Sequence, residues 1–190
     1  KPGDYLFIEF AHNDQKAGGA YVAPFTGYKD HLKLFIKAAR EKGAIPVLVT
    51  SMHRRNFNEN GEIINTLDNY PEAMRQVGEE ENVSVIDLNR MSKTLFEAMG
   101  PEKSKKAFVH YPAGTFPGQD KELKDNTHFS TYGAYQLAKC IVEGIKNNNL
   151  ALEKYLKEDL EAFNPALPDP VEKWDLPLAP ATNSLKPSGN

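Results

Sequence analysis

Apolar positions along the chain fall into two kinds of pattern. Residues 5–10, 45–50 and 83–88 form short, nearly continuous apolar runs, rich in β-branched or aromatic side chains. Runs of that length without alternation predict fully buried strands of a parallel sheet. Between them the period lengthens. Over residues 30–43, Leu32, Phe35, Ile36 and Ala39 follow the i, i+3, i+4, i+7 rule, and Gly43 supplies a C-terminal stop. A second helix is predicted after Pro71 through Ala73, Met74 and Val77, and a third over about residues 92–99. A fourth runs over about residues 131–146, with Leu137, Ala138, Ile141 and Ile145 on one face. Strands alternating with helices imply βαβ units, hence an α/β fold whose parallel sheet is covered on both sides. Ligands of such sheets bind beyond the carboxyl ends of the strands. That directs attention to residues 11–16, 51–57 and the segment from Asn89 onward.

Length and charge narrow the picture. The 190 residues suffice for one domain with a core and are too few for two ordinary ones. Lys plus Arg number 23 against 26 Asp plus Glu, a net charge of -3, so an overall basic footprint for nucleic acid or an anionic membrane surface is absent. No apolar run approaches the roughly 20 residues of a membrane-spanning helix. The single cysteine, Cys140, excludes an intrachain disulfide and a Cys-based zinc site. The chain opens on Lys1 and is in an apolar run by residue 5, which predicts a processed or excerpted part of a longer protein. Six of the thirteen prolines lie in residues 164–190. That segment is expected to be extended on the surface or disordered, with Trp174 as a possible anchor. The expected division is a domain over residues 1–150 and a C-terminal helix with a Pro-rich extended tail over residues 151–190.

Two motifs carry chemistry. In Asp125-Asn126-Thr127-His128 a carboxylate precedes a histidine by three residues, ahead of a predicted helix start. Within a turn it reaches the Nδ1 proton of that imidazole, fixes the tautomer and leaves Nε2 free as a base. The plainer alternative has Asp125 or Thr131 capping the helix and His128 merely at the surface. In Ala11-His12-Asn13-Asp14, directly after the first strand, the Asn13 amide is placed to donate to a developing oxyanion. The alternative there is an ordinary Asx turn. Arg54 and Arg55 follow the second strand, on the same rim, where guanidinium groups pair bidentately with a carboxylate such as that of a uronic acid. Their alternative is a solvated loop or ion pairs with Asp and Glu. His53 and His110 have no ligand spacing that supports a metal site. Ser51, at the end of the second strand, reads as a strand-end cap, and no Gly-x-Ser-x-Gly elbow is present.

Taken together, the Phe-Ala-His-Asn-Asp-Gln block and the Asp-Asn-Thr-His-Phe block resemble blocks III and V of the SGNH (GDSL-type) hydrolases. The likeness is greatest to their rhamnogalacturonan acetylesterase branch. Residues 3–16, the Arg54-Arg55-Asn56-Phe57 segment and residues 125–134 carry it, in order, across roughly residues 3–147. The resemblance implies a flavodoxin-like three-layer α/β/α sandwich of about five parallel strands. It implies ester hydrolysis by a Ser-His-Asp triad with no metal or organic cofactor. His128 would be the general base and then the acid, Asp125 its orienting carboxylate, and Asn13 an oxyanion donor. Arg54 and Arg55 would meet an acetylated acidic polysaccharide, His12 either lines the same cleft or makes a structural hydrogen bond, and the substrate class implies a secreted or periplasmic setting.

Two departures qualify that resemblance. The Gly-Asp-Ser block with the nucleophile and the block II glycine are absent, so the serine and the N-terminal part of the fold are expected from sequence upstream, which would associate with this chain. The family's glycine before Asn13 is Ala11 here, whose methyl group resists a positive φ. Two rival readings stay open: a non-catalytic polysaccharide-binding module of the same shape, and an SGNH esterase for another acyl group.

Overall fold

The structure, a computed structural model, describes residues 1–174. The notional tail beyond residue 174 lies outside the described residues. Three parallel strands form the sheet: β1 (Tyr5–Ile8), β2 (Ile45–Val49) and β3 (Val85–Ile86). They lie in the order β1-β2-β3, with Tyr5 opposite Ile45 and Leu48 opposite Val85. Four α-helices connect and cover them: α1 (Lys29–Glu41), α2 (Tyr70–Glu81), α3 (Leu88–Lys103) and α4 (Thr131–Asn147). An antiparallel hairpin, β4 (Phe108–Tyr111) and β5 (Leu123–Phe129), stands between α3 and α4.

Strand alternation divides the core in two. Ile8 and Leu48 point to one face and pack with Leu32, Ile36, Tyr70, Met74 and Val77 of α1 and α2. Val47, Val49 and Ile86 point to the other and pack with Leu95, Phe96, Leu137, Cys140 and Ile145 of α3 and α4. Successive strand residues face opposite sides, so each strand feeds both layers, and the α/β/α sandwich follows. Leu32, Ile36, Leu48, Phe96 and Ile86 are at most 1% exposed. Each such side chain contributes roughly 1.5–3 kcal/mol through burial.

Several expectations need correction. β1 is an edge strand with Leu6 and Phe7 each 38% exposed, where the continuous apolar run predicts full burial. The third helix begins at Leu88, because the Asp87 side chain accepts the Arg90 N–H and caps it one turn earlier than its apolar pattern indicates. It runs past Met99 through a kink at Gly100, whose φ is 72°, ahead of Pro101. Residues 151–174 carry only short 3₁₀ turns, at Ala151–Tyr155 and Val171–Lys173, and no C-terminal α-helix. This stretch is tied to α4. Asp169 accepts from Gln136 Nε2 at 2.8 Å and Lys139 Nζ at 2.5 Å, and its carbonyl takes the Tyr132 hydroxyl at 2.6 Å. Trp174 packs on Tyr132 and Tyr135, with ring centroids 5.7 and 4.6 Å apart.

Candidate active site

The loop after β1 is pinned through its backbone. The Phe10 carbonyl accepts the Tyr28 hydroxyl at 2.9 Å and the Ser51 hydroxyl at 2.7 Å. The Tyr70 hydroxyl lies between the Val22 carbonyl at 2.7 Å and the Asp14 carbonyl at 3.0 Å, and the Asp14 carbonyl also accepts the Val22 N–H at 2.9 Å. Tyr28 and Tyr70 are buried edge to face, centroids 5.0 Å apart, so rigid aromatic levers hold both ends of residues 10–14. Between the pins, Asn13 is exposed, and its side-chain amide has no hydrogen-bond partner among the described residues. It lines a cleft of about 200 Å³ with Glu9, Ala11, His12 and Ser51. Ala11 takes φ 150° while 3% exposed, so the loop keeps a backbone shape that a Cβ disfavours. The Ser51 hydroxyl, spent on Phe10, ties strand β2 to this loop and is not presented as a nucleophile.

On β5 the structure brings Asp125 and His128 together. Asp125 Oδ2 lies 2.6 Å from His128 Nδ1. Its other oxygen accepts the N–H groups of Thr127 at 2.7 Å and His128 at 3.0 Å. Partial burial pushes the Asp125 carboxyl up. The bonds from the His128 backbone, its ring and the Thr127 N–H outweigh that and hold it below the ordinary carboxylate value. An acceptor on Nδ1 fixes the proton there, and Nε2 is left as a base. The His128 side chain is 76% exposed, open to a reacting group. Ser130 does not face it. The Ser130 hydroxyl donates to the Lys106 carbonyl at 2.6 Å and accepts from Gly133 N at 3.1 Å, capping α4.

The segment after β2 connects these two loops. Arg54 Nη2 donates to the His12 carbonyl at 3.3 Å, and Nη1 donates to Thr66 O and Oγ1 at 3.0 and 3.1 Å. Arg55 donates through its backbone to Asn126 O at 2.8 Å and through Nη1 to Asn126 Oδ1 at 2.9 Å. It also donates through Nε to Ser104 Oγ at 3.1 Å and through Nη2 to the Pro101 carbonyl. The expectation that both guanidiniums face a uronate carboxylate is therefore corrected. Their forks are engaged by protein oxygens, and burial lowers the pKa of each. His12 is tied too, its Nε2 donating to Met52 O at 3.0 Å. Burial chiefly lowers its pKa, the Met52 bond opposes that, and the charges of Arg54 and His128 lower it further. Arg54 holds the His12 carbonyl and the adjacent Arg55 holds Asn126, so one segment after β2 ties the loop of Asn13 to the base turn.

Sequence reading missed three members of this network: Asn126, His110 and Met52. His110 Nε2 donates to Asn126 Oδ1 at 2.8 Å. The only sequence signal for Asn126 is its place between Asp125 and His128. His53 is 4% exposed, and its Nδ1 has no partner among the described residues. No group of three His, Cys, Asp or Glu side chains stands together as metal ligands would among the described residues, and none of their helices is long and apolar enough to cross a membrane.

No family model matches the chain. It is 48% identical over 154 residues to the rhamnogalacturonan acetylesterase RhgT of Bacillus subtilis strain 168, covering 81% of this chain and 66% of that protein. It is 38% identical over 161 residues to the probable rhamnogalacturonan acetylesterase YesY of the same strain, covering 83% and 70%. The crystal structure of the Bacillus subtilis protein YxiM matches with a TM-score of 0.65 at 26% identity, over 80% of this chain and 39% of that one. The chain thus spans about two thirds of the length of the two acetylesterases it matches. With an α/β/α sandwich that carries the bonded Asp125–His128 pair, the chain belongs to the rhamnogalacturonan acetylesterase family.

Proposed function

We propose that this chain supplies the acid–base and oxyanion half of a serine esterase that removes acetyl groups from an acidic, pectic polysaccharide such as rhamnogalacturonan. The observation that carries the reading is the 2.6 Å bond between Asp125 Oδ2 and His128 Nδ1, with the His128 side chain 76% exposed. In the proposed reaction a serine hydroxyl attacks the acetyl carbon as His128 Nε2 takes its proton. The carbonyl electron pair moves to oxygen, and the Asn13 amide N–H stabilises that oxyanion. Collapse breaks the ester C–O bond, His128 protonates the departing sugar oxygen, and water repeats the sequence on the acyl-serine to release acetate. The described serines beside this site, Ser51 and Ser130, are spent on backbone carbonyls, so the nucleophile comes from sequence outside these residues. A polysaccharide substrate goes with a secreted or periplasmic setting.

The test uses the complete protein on a neutral aryl acetate and on acetylated rhamnogalacturonan. His128→Ala lowers kcat by about 10²–10⁴ or more on both substrates, and Asp125→Asn lowers it less than His128→Ala. Unchanged acetate release after His128→Ala refutes the proposal. Polymer binding with no acetate release in the unmodified protein assigns it to the binding-module reading.

A further inference from the structure

His128 is three-quarters exposed, and among the described residues its ring has one protein bond, to Asp125, itself 36% exposed. An ion pair so open to water adds little on its own, and catalysis requires an imidazole fixed within a fraction of an ångström. The rigidity therefore has to come from the backbone of the turn. Asn126, the residue after Asp125, is where that backbone is gripped. Its carbonyl takes the Arg55 N–H at 2.8 Å, and its side-chain oxygen takes Arg55 Nη1 at 2.9 Å and His110 Nε2 at 2.8 Å. The same guanidinium reaches back to Ser104 Oγ and the Pro101 carbonyl at the end of α3, and lies 5.8 Å from the Phe57 ring centroid. Asn126 thus cannot turn without breaking a charge-assisted bond anchored in another element.

We propose that Arg55 is a positioning residue of the esterase: by clamping Asn126 it fixes the Asp125–His128 pair relative to the Asn13 loop, which its neighbour Arg54 holds through His12. This deepens the proposed function and rests on it for the kinetic readout alone. Lysine does not replace the clamp, because one ammonium cannot span Asn126, Ser104 and Pro101 as the planar fork does.

The experiment compares Arg55→Ala, Arg55→Lys, Asn126→Ala and the Arg55→Ala/Asn126→Ala double variant of the complete protein. The low-field proton resonance of the hydrogen-bonded His128 Nδ1 is followed by NMR, with kcat and KM on a neutral aryl acetate. Arg55→Ala and Asn126→Ala each broaden or abolish that resonance and lower kcat roughly 10- to 100-fold with KM little changed. Arg55→Lys does not restore it, and the double variant is no worse than the poorer single, as one shared interaction requires. An intact resonance with wild-type kcat in folded Arg55→Ala overturns the proposal. So does a loss confined to KM for an acidic polymer, or single losses that multiply in the double variant. Should Arg55→Ala not fold, Asn126→Ala reads the clamp from its other side. The resonance reports the clamp even in a protein that hydrolyses no ester.

Discussion

Replacing Gly133 with alanine is the sharpest probe of how the base turn is built. Gly133 lies in the first turn of α4, three residues after the capping Ser130, and its Cα rests against the chain entering β4. A Cβ there would meet the Ala107 carbonyl oxygen at 1.9 Å and the Ala107 carbonyl carbon at 2.7 Å. Backbone atoms cannot swing aside as a side-chain tip can. The helix start has to retreat by about 1.5 Å to reach an ordinary contact near 3.4 Å. Two bonds span that seam, Ser130 N to Ala107 O at 3.1 Å and Ser130 Oγ to Lys106 O at 2.6 Å, and the retreat stretches both. Overpacking costs about 1–3 kcal/mol, and the weakened bonds add about 1 kcal/mol each. The better helix propensity of alanine returns at most about 1 kcal/mol. The expected net loss is about 2–4 kcal/mol, or roughly 5–15 °C in Tm for a domain of this size. Denaturant unfolding of the complete protein with and without Gly133→Ala measures it. Equal or greater stability of the variant would show that α4 does not pack on Ala107 as described, and with it would fall the account of how His128 is placed.

Three further outcomes are expected. Burial holds His53 at about 4 in the folded chain against an ordinary 6.5, with the charge of Lys93 also lowering it and Glu97 opposing. The unfolded chain therefore takes the proton first. This stability is complete above pH 6.5, declines as pH falls, and is fully lost below about 4, with ~2 kcal/mol gone at pH 5. Urea unfolding at pH 7.5 and pH 5 should show that loss in wild type and its absence in His53→Gln, and equal pH slopes would contradict the assignment. Ala11→Gly frees a residue at φ 150°, relieving about 1–3 kcal/mol of strain against a lost methyl contact and added chain entropy of similar combined size. It should be neutral or stabilising by up to about 1 kcal/mol, unlike Ala73→Gly at a fully buried helical site, which should destabilise under the same melt. Asp169→Ala strands the fully buried Gln136 and unpairs Lys139. A loss of about 1–3 kcal/mol and faster proteolytic cleavage within residues 156–170 should follow, and an unchanged cleavage rate would deny the strap its hold on α4.

Elements were readable in the sequence where local pattern and final environment agree. Residues 45–50 are a continuous apolar run, and β2 is the central strand, covered by both helical layers. Residues 5–10 carry the same pattern, yet among the described residues β1 has a neighbour on one side only, a fact of topology that no local run records. The hairpin was illegible for a different reason. Leu123-Lys124-Asp125-Asn126-Thr127-His128-Phe129 is polar almost throughout, and its ladder is interrupted between Phe108 and His110. What holds it is aromatic packing of Phe108 on Phe96 and Phe129, with centroids 5.0 and 5.3 Å apart, which is invisible until the elements meet. The Asp125 to His128 spacing was legible because its bond is local. The duties of Arg54 and Arg55 were not, because their partners lie 12 to 71 residues away.

The break at Gly100 and Pro101 has a use beyond ending a helix. In an uninterrupted helix the carbonyl of residue 101 would be consumed by an amide one turn onward. Here the chain bends away, and that oxygen is surrendered to the guanidinium of Arg55 and the hydroxyl of Ser104. An imperfection in one segment thus becomes the socket into which a distant arginine plugs. A substitution that straightened residues 100–101 would leave this cation without its far anchor, 27 residues before the histidine whose aim depends on it.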